Sequence, residues 1–489
     1  MPLPELPTLA ADAPLPKYLE IYRRFRVAID QGQLRSGERV PSVRALAQEL
    51  KVARGTVETA YQLLTSEGIF ESRGQAGTVV APLSPERTII SVSREPTVAA
   101  APHASILPLQ LGLPALDAFP RKLWARLVTW QVRQTDQHSL ALTDVRGYAP
   151  LRAAIASYLA LYRGVECAPE QIFVGAGFIS SLTLACDALD MAGEHCWFED
   201  PGYLHAREFL SHQGVELVPV PVDQEGLRVE EGIRRQPRAR LALVTPAHQS
   251  PLGVPLSPAR RRALLDWAQA HGSWVIEDDY DSEFRYKGQP LAALKSLDVH
   301  DRVIYAGSFS KMLFPGLRLG YLAVPKSLVE RFEQSARHLH NRNAELLQAT
   351  TATFLEQGHF TRHLKKMRQL YSSRRALLAD ALKTQCGHLL RVDPQAGGIN
   401  MVARLQVEVA DQRIADRAFD AGLAMQALSA WSLESPGERG LLMGFTNVAS
   451  APQALDIARR LQAVIEREMG ALPTENTVTF LASNAYFKH

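Results

Sequence analysis

The feature that most limits what this chain can fold into is the run Ser308-Phe309-Ser310-Lys311-Met312-Leu313-Phe314-Pro315-Gly316-Leu317-Arg318. It follows Val303-Ile304-Tyr305-Ala306, an apolar stretch that reads as a short buried strand ending at Gly307. Two hydroxyls, a lysine and an arginine then follow, with Pro315-Gly316 forcing a turn between the two bases. A guanidinium forks onto two phosphate oxygens, and a serine hydroxyl donates to a third. A lysine beside a bound phosphate is well placed to form a Schiff base with an aldehyde. The segment therefore suits a small molecule that carries both groups, held at the end of a buried strand.

Pyridoxal 5'-phosphate (PLP) carries both. The segment closely resembles the lysine signature of fold-type I PLP enzymes, the aspartate aminotransferase superfamily. The resemblance implies an internal aldimine at Lys311, the catalytic lysine, with Ser308, Ser310 and Arg318 around the phosphate. Four more stretches agree. Gly175-Ala176-Gly177-Phe178-Ile179-Ser180 follows a strand and opens a helix, whose first amides can cradle a phosphate. Phe178 and Ile179 are the candidate contacts there, although the family usually has Gln where Ile179 stands. Glu277-Asp278-Asp279-Tyr280-Asp281 also follows a strand. The resemblance gives the pyridine nitrogen to Asp278, which keeps the ring protonated as an electron sink, and the ring hydroxyl to Tyr280. A solvated acidic loop is the plainer alternative. Glu199-Asp200-Pro201-Gly202-Tyr203 resembles the loop whose aromatic ring stacks on the pyridine, so Tyr203 is assigned that face. In Thr245-Pro246-Ala247-His248-Gln249-Ser250-Pro251-Leu252-Gly253, Ser250 stands where simple aminotransferases have Asn.

The N-terminal part has a different grammar. Residues 1–16 form a Pro-rich arm. Tyr18, Tyr22, Phe25 and Ile29 then fall on one helical face. Pro41-Ser42 opens a second helix with Val43, Leu46, Ala47 and Leu50 as its stripe, and a third carries Val57, Ala60, Tyr61 and Leu64. Ile69–Ser72 and Thr78–Val80 flank the basic, Gly-rich tip Arg73–Gly77 and read as a hairpin. Three helices and a hairpin make a winged helix-turn-helix over residues 17–81. Residues 17–80 hold ten lysines and arginines against seven acids, so the electrostatic footprint on DNA is modest and rests on placement. The candidate contacts are Arg39, Ser42, Arg44, Arg54, Thr56 and Arg73, at turns and helix starts. The words Gly37-Glu38-Arg39-Val40-Pro41-Ser42-Val43-Arg44, Thr56-Val57 and Ala60-Tyr61 closely resemble the GntR-type DNA-binding domain. Ala53 departs from it, because the family usually has a capping Ser or Asn before the arginine.

Residues 82–107 are rich in Pro, Ser, Ala and Thr and read as an extended linker. From 108 to 470 short apolar runs alternate with helical stretches. This predicts an α/β domain with a mostly parallel sheet and a smaller C-terminal α+β subdomain. Residues 471–489 form a tail without pattern. The net charge of +3 decides nothing about nucleic acid by itself. The four cysteines lack CxxC spacing and read as reduced, and no metal site is expected. No signal peptide or membrane-spanning run is apparent, so a cytoplasmic protein is expected.

This order of domains, with Thr-Pro-x-His-Gln and Glu-Asp-Asp-Tyr-Asp-Ser-Glu-Phe, resembles the MocR/GabR family of bacterial transcription regulators. The resemblance implies a homodimer, domain-swapped so that each DNA-binding domain packs on the partner subunit. It also implies a double-stranded DNA operator and an effector that is PLP or a small amino compound. One departure matters. Family members that hold a ligand carboxylate use an arginine just before the equivalent of Gly444-Phe445, and this chain has Leu442-Met443. Arg207, four residues beyond Tyr203, is the candidate substitute. At most slow or partial transamination is expected. The competing readings are a metabolic aminotransferase with an appended helix-turn-helix, and a repressor whose large domain only dimerises.

Overall fold

The computed structural model describes residues 16–74, 77–82, 106–137, 139–141, 144–286, 288, 291–393, 395–434 and 439–470. Most of the arm and linker, two residues of the hairpin tip and the tail lie outside them. The chain divides into two units, 1–104 and 105–489. The first is built from α1 (Lys17–Asp30), α2 (Val43–Glu49), α3 (Arg54–Ser66), β1 (Phe70–Ser72) and β2 (Thr78–Val80). β1 and β2 pair antiparallel, with Phe70 opposite Val80. Phe25, Tyr61 and Phe70 meet edge to face, at centroid distances of 5.6, 5.3 and 5.2 Å, so one aromatic triad joins two helices to the wing. The buried face of α1 is Ile21, Phe25, Ala28 and Ile29. Tyr18 and Tyr22, expected on that face, lie only at its edge. The Tyr22 hydroxyl donates to Glu67 at 2.8 Å, and that bond keeps the ring at the rim.

The second unit opens with α4 (Arg121–Gln134) and α5 (Ala149–Arg163). There follow β3 (Ile172–Gly175), α6 (Phe178–Leu189), β4 (His195–Asp200), α7 (Leu204–His212), β5 (Glu216–Asp223), β6 (Gly226–Leu227) and α8 (Val229–Arg235). Then come β7 (Leu241–Val244), α9 (Pro258–His271), β8 (Trp274–Asp279), β9 (Val303–Ser308) and β10 (Gly320–Ala323). The eight strands lie in the order β3-β10-β9-β8-β7-β4-β5-β6. The five from β9 to β5 run parallel, while β10 is antiparallel to both neighbours and β6 to β5. Alternate residues of β7 serve opposite cores. Leu241 and Leu243 pack with α6 and α7, and Ala242 and Val244 pack with α9. Both faces are covered, as a parallel sheet requires.

Three helices, α10 (Val329–His338), α11 (Glu345–Glu356) and α12 (His359–Cys386), lead to the smaller part. It holds β11 (Leu390–Val392), β12 (Asn400–Leu405), α13 (Asp411–Asp420), β13 (Gln426–Ala427), β14 (Gly440–Gly444) and α14 (Ala451–Gly470). Its four strands are all antiparallel, in the order β11-β12-β14-β13. All four cysteines are unpaired. No helix among the described residues is long and apolar enough to cross a membrane.

Candidate functional site

The parallel strands all end on one side, and a cavity of about 290 Å³ opens there. Its wall includes Phe178, Ile179, Tyr203, Ser250, Asp278, Tyr280, Ser308, Ser310, Lys311 and Arg318. All ten residues singled out for the cofactor therefore line one space. They come from β8 and β9, the start of α6, and the loops after β4, β7, β8 and β9. A larger groove of about 640 Å³ runs beside α12, lined by Arg375, Lys383 and Asp393 among others. It holds none of the ten, and the chemistry lies in the smaller cavity.

Burial biases this chemistry. Asp278 is buried, and its carboxylate has no hydrogen-bond partner among the described residues. Desolvation pushes it well above the usual carboxylate range, reinforced by Asp279, Glu199 and Asp281 and opposed by Lys311. Desolvation also lowers Lys311, against the pull of Asp281 and Asp278. Each partner is thus moved toward its neutral form. A neutral amine is the nucleophile an aldehyde needs, and a cationic N–H placed against Asp278 would return that carboxyl to its charged form. Asp279 points away from the cavity, into an ion pair with Arg163 and a 2.6 Å bond from Tyr305. Period-two alternation along β8 sets this division.

Beneath the cavity Glu199 is buried and raised to about 7 by desolvation. It accepts from the amide and hydroxyl of Thr245 and from Gln249, and so fixes the loop that presents Ser250. At the other end of the cavity stand Gly177 and the first residues of α6, with Ser308, Ser310 and Arg318 beside them. The Arg318 guanidinium has no hydrogen-bond or ion-pair partner among the described residues. A helix N-terminus, two hydroxyls and an arginine form an anion cradle.

Sequence reasoning missed the rest of the wall. Leu111 and Gly112 come from the segment before α4, Asn400 and Gln426 from the second sheet, Ile399 from just before β12 and Trp431 from a short 3-10 turn after β13. Arg207 does not line the cavity. Its guanidinium donates to the carbonyls of Ser432 and Ala430, at 3.0 and 3.3 Å, on either side of Trp431. Leu442 is buried with Val402, Leu428 and Trp431 in an apolar cluster, and Arg439 pairs with Glu408 at 2.9 Å. Among the described residues, Arg318 is the one arginine in the cavity wall.

In the first unit, Ser42 caps α2 by accepting from the amide of Ala45 at 3.2 Å. α3 starts at Ala53 without a side-chain cap. Arg44 and Arg54 are exposed at the two helix starts, with Thr56 half-buried two residues beyond Arg54. Arg54 pairs with Glu58 at 3.2 Å and Arg73 with Glu71 at 3.2 Å; both pairs are solvated and open to exchange. Gly77, with φ +89°, takes a left-handed backbone that favours glycine, and the Arg39 guanidinium lies across it.

Comparison with known proteins decides the family. Residues 17–80 match the gntR family of bacterial regulatory proteins, and residues 117–437 match aminotransferase class I and II. The "Probable rhizopine catabolism regulatory protein MocR" of Rhizobium meliloti is 35% identical over 96% of this chain and 98% of its own length. The chain belongs to the MocR/GabR family of transcription regulators. Another relative of MocR/GabR type, the "HTH-type pyridoxine biosynthesis transcriptional regulator PdxR" of Corynebacterium glutamicum, is 31% identical over 87% of this chain and 91% of its own. An archaeal alanine:glyoxylate aminotransferase shares the fold, with a TM-score of 0.69 at 23% identity over 74% of this chain and 91% of its own. The first unit is accordingly a DNA-binding domain, as in other MocR/GabR regulators, and the second an aminotransferase-like domain.

Proposed function

We propose that this regulator binds PLP in the cavity and reads it out as a change in DNA binding. The observation that carries the reading is the meeting of Lys311, Asp278 and Arg318 in one cavity, the last two without a hydrogen-bond partner among the described residues. A Schiff-base lysine, an acceptor for a pyridinium N–H and a phosphate clamp are the three groups PLP requires. The donor set fits: Ser308, Ser310, Arg318 and the start of α6 would bind the phosphate. Asp278 would hold a proton at the ring nitrogen, Tyr280 would donate to the ring hydroxyl, and Tyr203 would cover one face. When bound, the protonated pyridine supplies an electron sink next to the reacting carbon. Lys311 moves protons there, and the buried wall excludes water.

The regulator acts in the cytoplasm as a homodimer, with each DNA-binding domain packed on the partner subunit. Arg39, Ser42, Arg44, Arg54, Thr56 and Arg73 contact a double-stranded operator. PLP, or a small amino compound that reacts with it, shifts the dimer between DNA-binding states. That ligand binds the two states unequally, because equal binding shifts nothing. The apolar cluster at Leu442 speaks against a metabolic aminotransferase, which needs a clamp on its substrate carboxylate. The test is selection of bound fragments from genomic DNA with and without PLP. A defined set whose affinity changes with PLP is expected, and an identical set with identical affinities would overturn the reading.

A further inference from the structure

Behind Tyr280 lies a pair of side chains that the proposed function leaves unused. His248 comes from the loop after β7 and Asp281 from the turn after β8. His248 Nδ1 is 3.1 Å from Tyr280 Oη and 3.1 Å from Asp281 Oδ1. Asp281 is 1% exposed, and its Oδ2 accepts from the amide of Ile399 at 3.2 Å. Ile399 and the next residue, Asn400, line the cavity, and Asn400 opens β12 of the second sheet. One imidazole and one carboxylate thus connect the tyrosine just past the end of β8 to the residue that precedes β12 of the small sheet.

The fit around the ring is close. Gly398 has φ +87°, and a Cβ there would collide with the imidazole. The Gly398 carbonyl accepts from Tyr286 Oη at 2.5 Å and its amide donates to Phe284 at 2.9 Å, which seats the segment against the ring. A void of about 20 Å³ beside His248 is walled by Tyr280, Asn400 and Trp431, so the imidazole forms part of the back of the site.

The geometry selects a tautomer. A carboxylate oxygen facing Nδ1 can only accept, so Nδ1 carries the proton. That N–H then also faces the phenol oxygen, which becomes an acceptor. The phenol proton is left to point elsewhere, toward the cavity. In the other tautomer Tyr280 would donate to Nδ1, and Asp281 would face a lone pair.

We propose that His248 is a positioning residue: braced by Asp281, it turns the Tyr280 hydroxyl proton into the cavity, and the Ile399 amide ties that brace to the small sheet. The inference rests on the reading of the cavity as a PLP site. Its test uses the full chain loaded with PLP and compares the parent, His248→Ala, His248→Asn, Tyr280→Phe and the double variant Tyr280→Phe/His248→Ala. The readouts are the visible absorption band of the bound cofactor and its dissociation constant, with circular dichroism to confirm folding. His248→Ala should displace the band and weaken PLP about fivefold to tenfold, the worth of one hydrogen bond. His248→Asn, which keeps an N–H near the Nδ1 position, should restore most of both. In the Tyr280→Phe background His248→Ala should add nothing, an outcome that a merely structural role would not produce. If the alanine variant does not fold, His248→Gln, which carries its amide beyond the Nδ1 position, is read in the same way. An unchanged band and affinity in a folded variant, or full additivity in the double variant, would overturn the inference. A parent that takes up no PLP would instead overturn the cofactor reading itself.

Discussion

Nζ of Lys311 donates to the carbonyl oxygen of Gly112 at 2.8 Å, across 199 positions of sequence. The segment before α4 therefore parks the amine over the cavity. A Cβ at Gly112 would stand 2.6 Å from that nitrogen, so the glycine is needed for the close approach.

The first prediction concerns this amine. Borohydride treatment of PLP-loaded protein should fix the cofactor on the peptide containing Lys311, as read by mass spectrometry, and Lys311→Ala should abolish the adduct. Retention of the same adduct in the alanine variant would reassign the lysine. Gly112→Ala should slow cofactor uptake while leaving the fold intact.

Asp278→Asn should weaken PLP binding by about tenfold to a hundredfold, the loss of a hydrogen bond to a charged group. It should also change the visible spectrum. Asp279 cannot substitute, because Arg163 and Tyr305 hold it on the other face of β8. Equal affinity and spectrum would remove Asp278 from the ring nitrogen.

Glu199 gives a prediction in pH. Its folded-state value is raised from 4.5 to about 7, so the folded protein binds more protons than the unfolded chain between those limits. The stability it contributes is fully present below about pH 4.5 and is lost as pH rises through about 7. Glu277, raised to about 6, and Glu283, raised to about 7, add to the same slope. Glu199→Gln should flatten the fall of unfolding free energy across this window in PLP-free protein, by up to about 3 kcal/mol at ~1.36 kcal/mol per unit, as read from denaturant melts at a series of pH values. A slope equal to the parent's would refute the buried-proton account.

Arg44→Ala and Arg54→Ala should each weaken operator binding. If the arginine contacts a phosphate, affinity falls on all sequences and the salt slope drops by about one. If it contacts a base edge, the loss is about 1–3 kcal/mol and one operator position relaxes. Parent-like binding by both variants at moderate salt would displace the recognition helix from α3.

α-Amino acids should be converted to keto acids far more slowly than the ~10 per second of a typical enzyme. The reason is spatial: Leu442 sits in the apolar cluster with Trp431, and Arg207 is occupied by two backbone carbonyls. Single-turnover absorbance with a keto-acid assay decides it. Rapid multiple turnover would make the protein a metabolic aminotransferase. Arg207→Ala should loosen the Trp431 wall, and so alter ligand binding without direct contact.

Much of this was legible in the primary structure, for identifiable reasons. Strands β8 and β9 open as apolar runs, Trp274–Ile276 and Val303–Ala306, and each chemical word begins where that run stops; Glu277–Asp279 and Ser308, expected to follow their strands, in fact form the strands' last residues. β10 was not legible. Gly320-Tyr321-Leu322-Ala323 follows directly on the arginine, and nothing local signals a reversal of direction within a parallel sheet. Asn400, Gln426 and Trp431 were hidden for another reason. They reach the cavity from the second sheet and the turn beside it through contacts distant in sequence, and no local periodicity records those. The bare N-terminus of α3 was visible as soon as Ala53 was read at the capping position, and the helix starts there without a side-chain cap.

The pairing of Ser308 with Gly320 closes the loop between β9 and β10 at its base. Within it, Phe309 bonds to Leu319, Leu313 to Phe309 and Leu317 to Phe314, while Phe309, Met312, Leu313, Leu317 and Leu319 are buried. Lys311 and Arg318 thus ride on a frame that is already assembled. Ordering such a segment on demand would cost about 1–2 kcal/mol per residue, and here that cost falls on folding instead of on ligand capture. Loop ordering then adds no threshold of its own to ligand capture. Any sharpness in the regulatory response must arise elsewhere, in the equilibrium between DNA-binding states or in assembly on DNA. Hydrogen exchange of the loop amides should be nearly as slow without ligand as with it, and loop amides that gain protection only on ligand addition would contradict this.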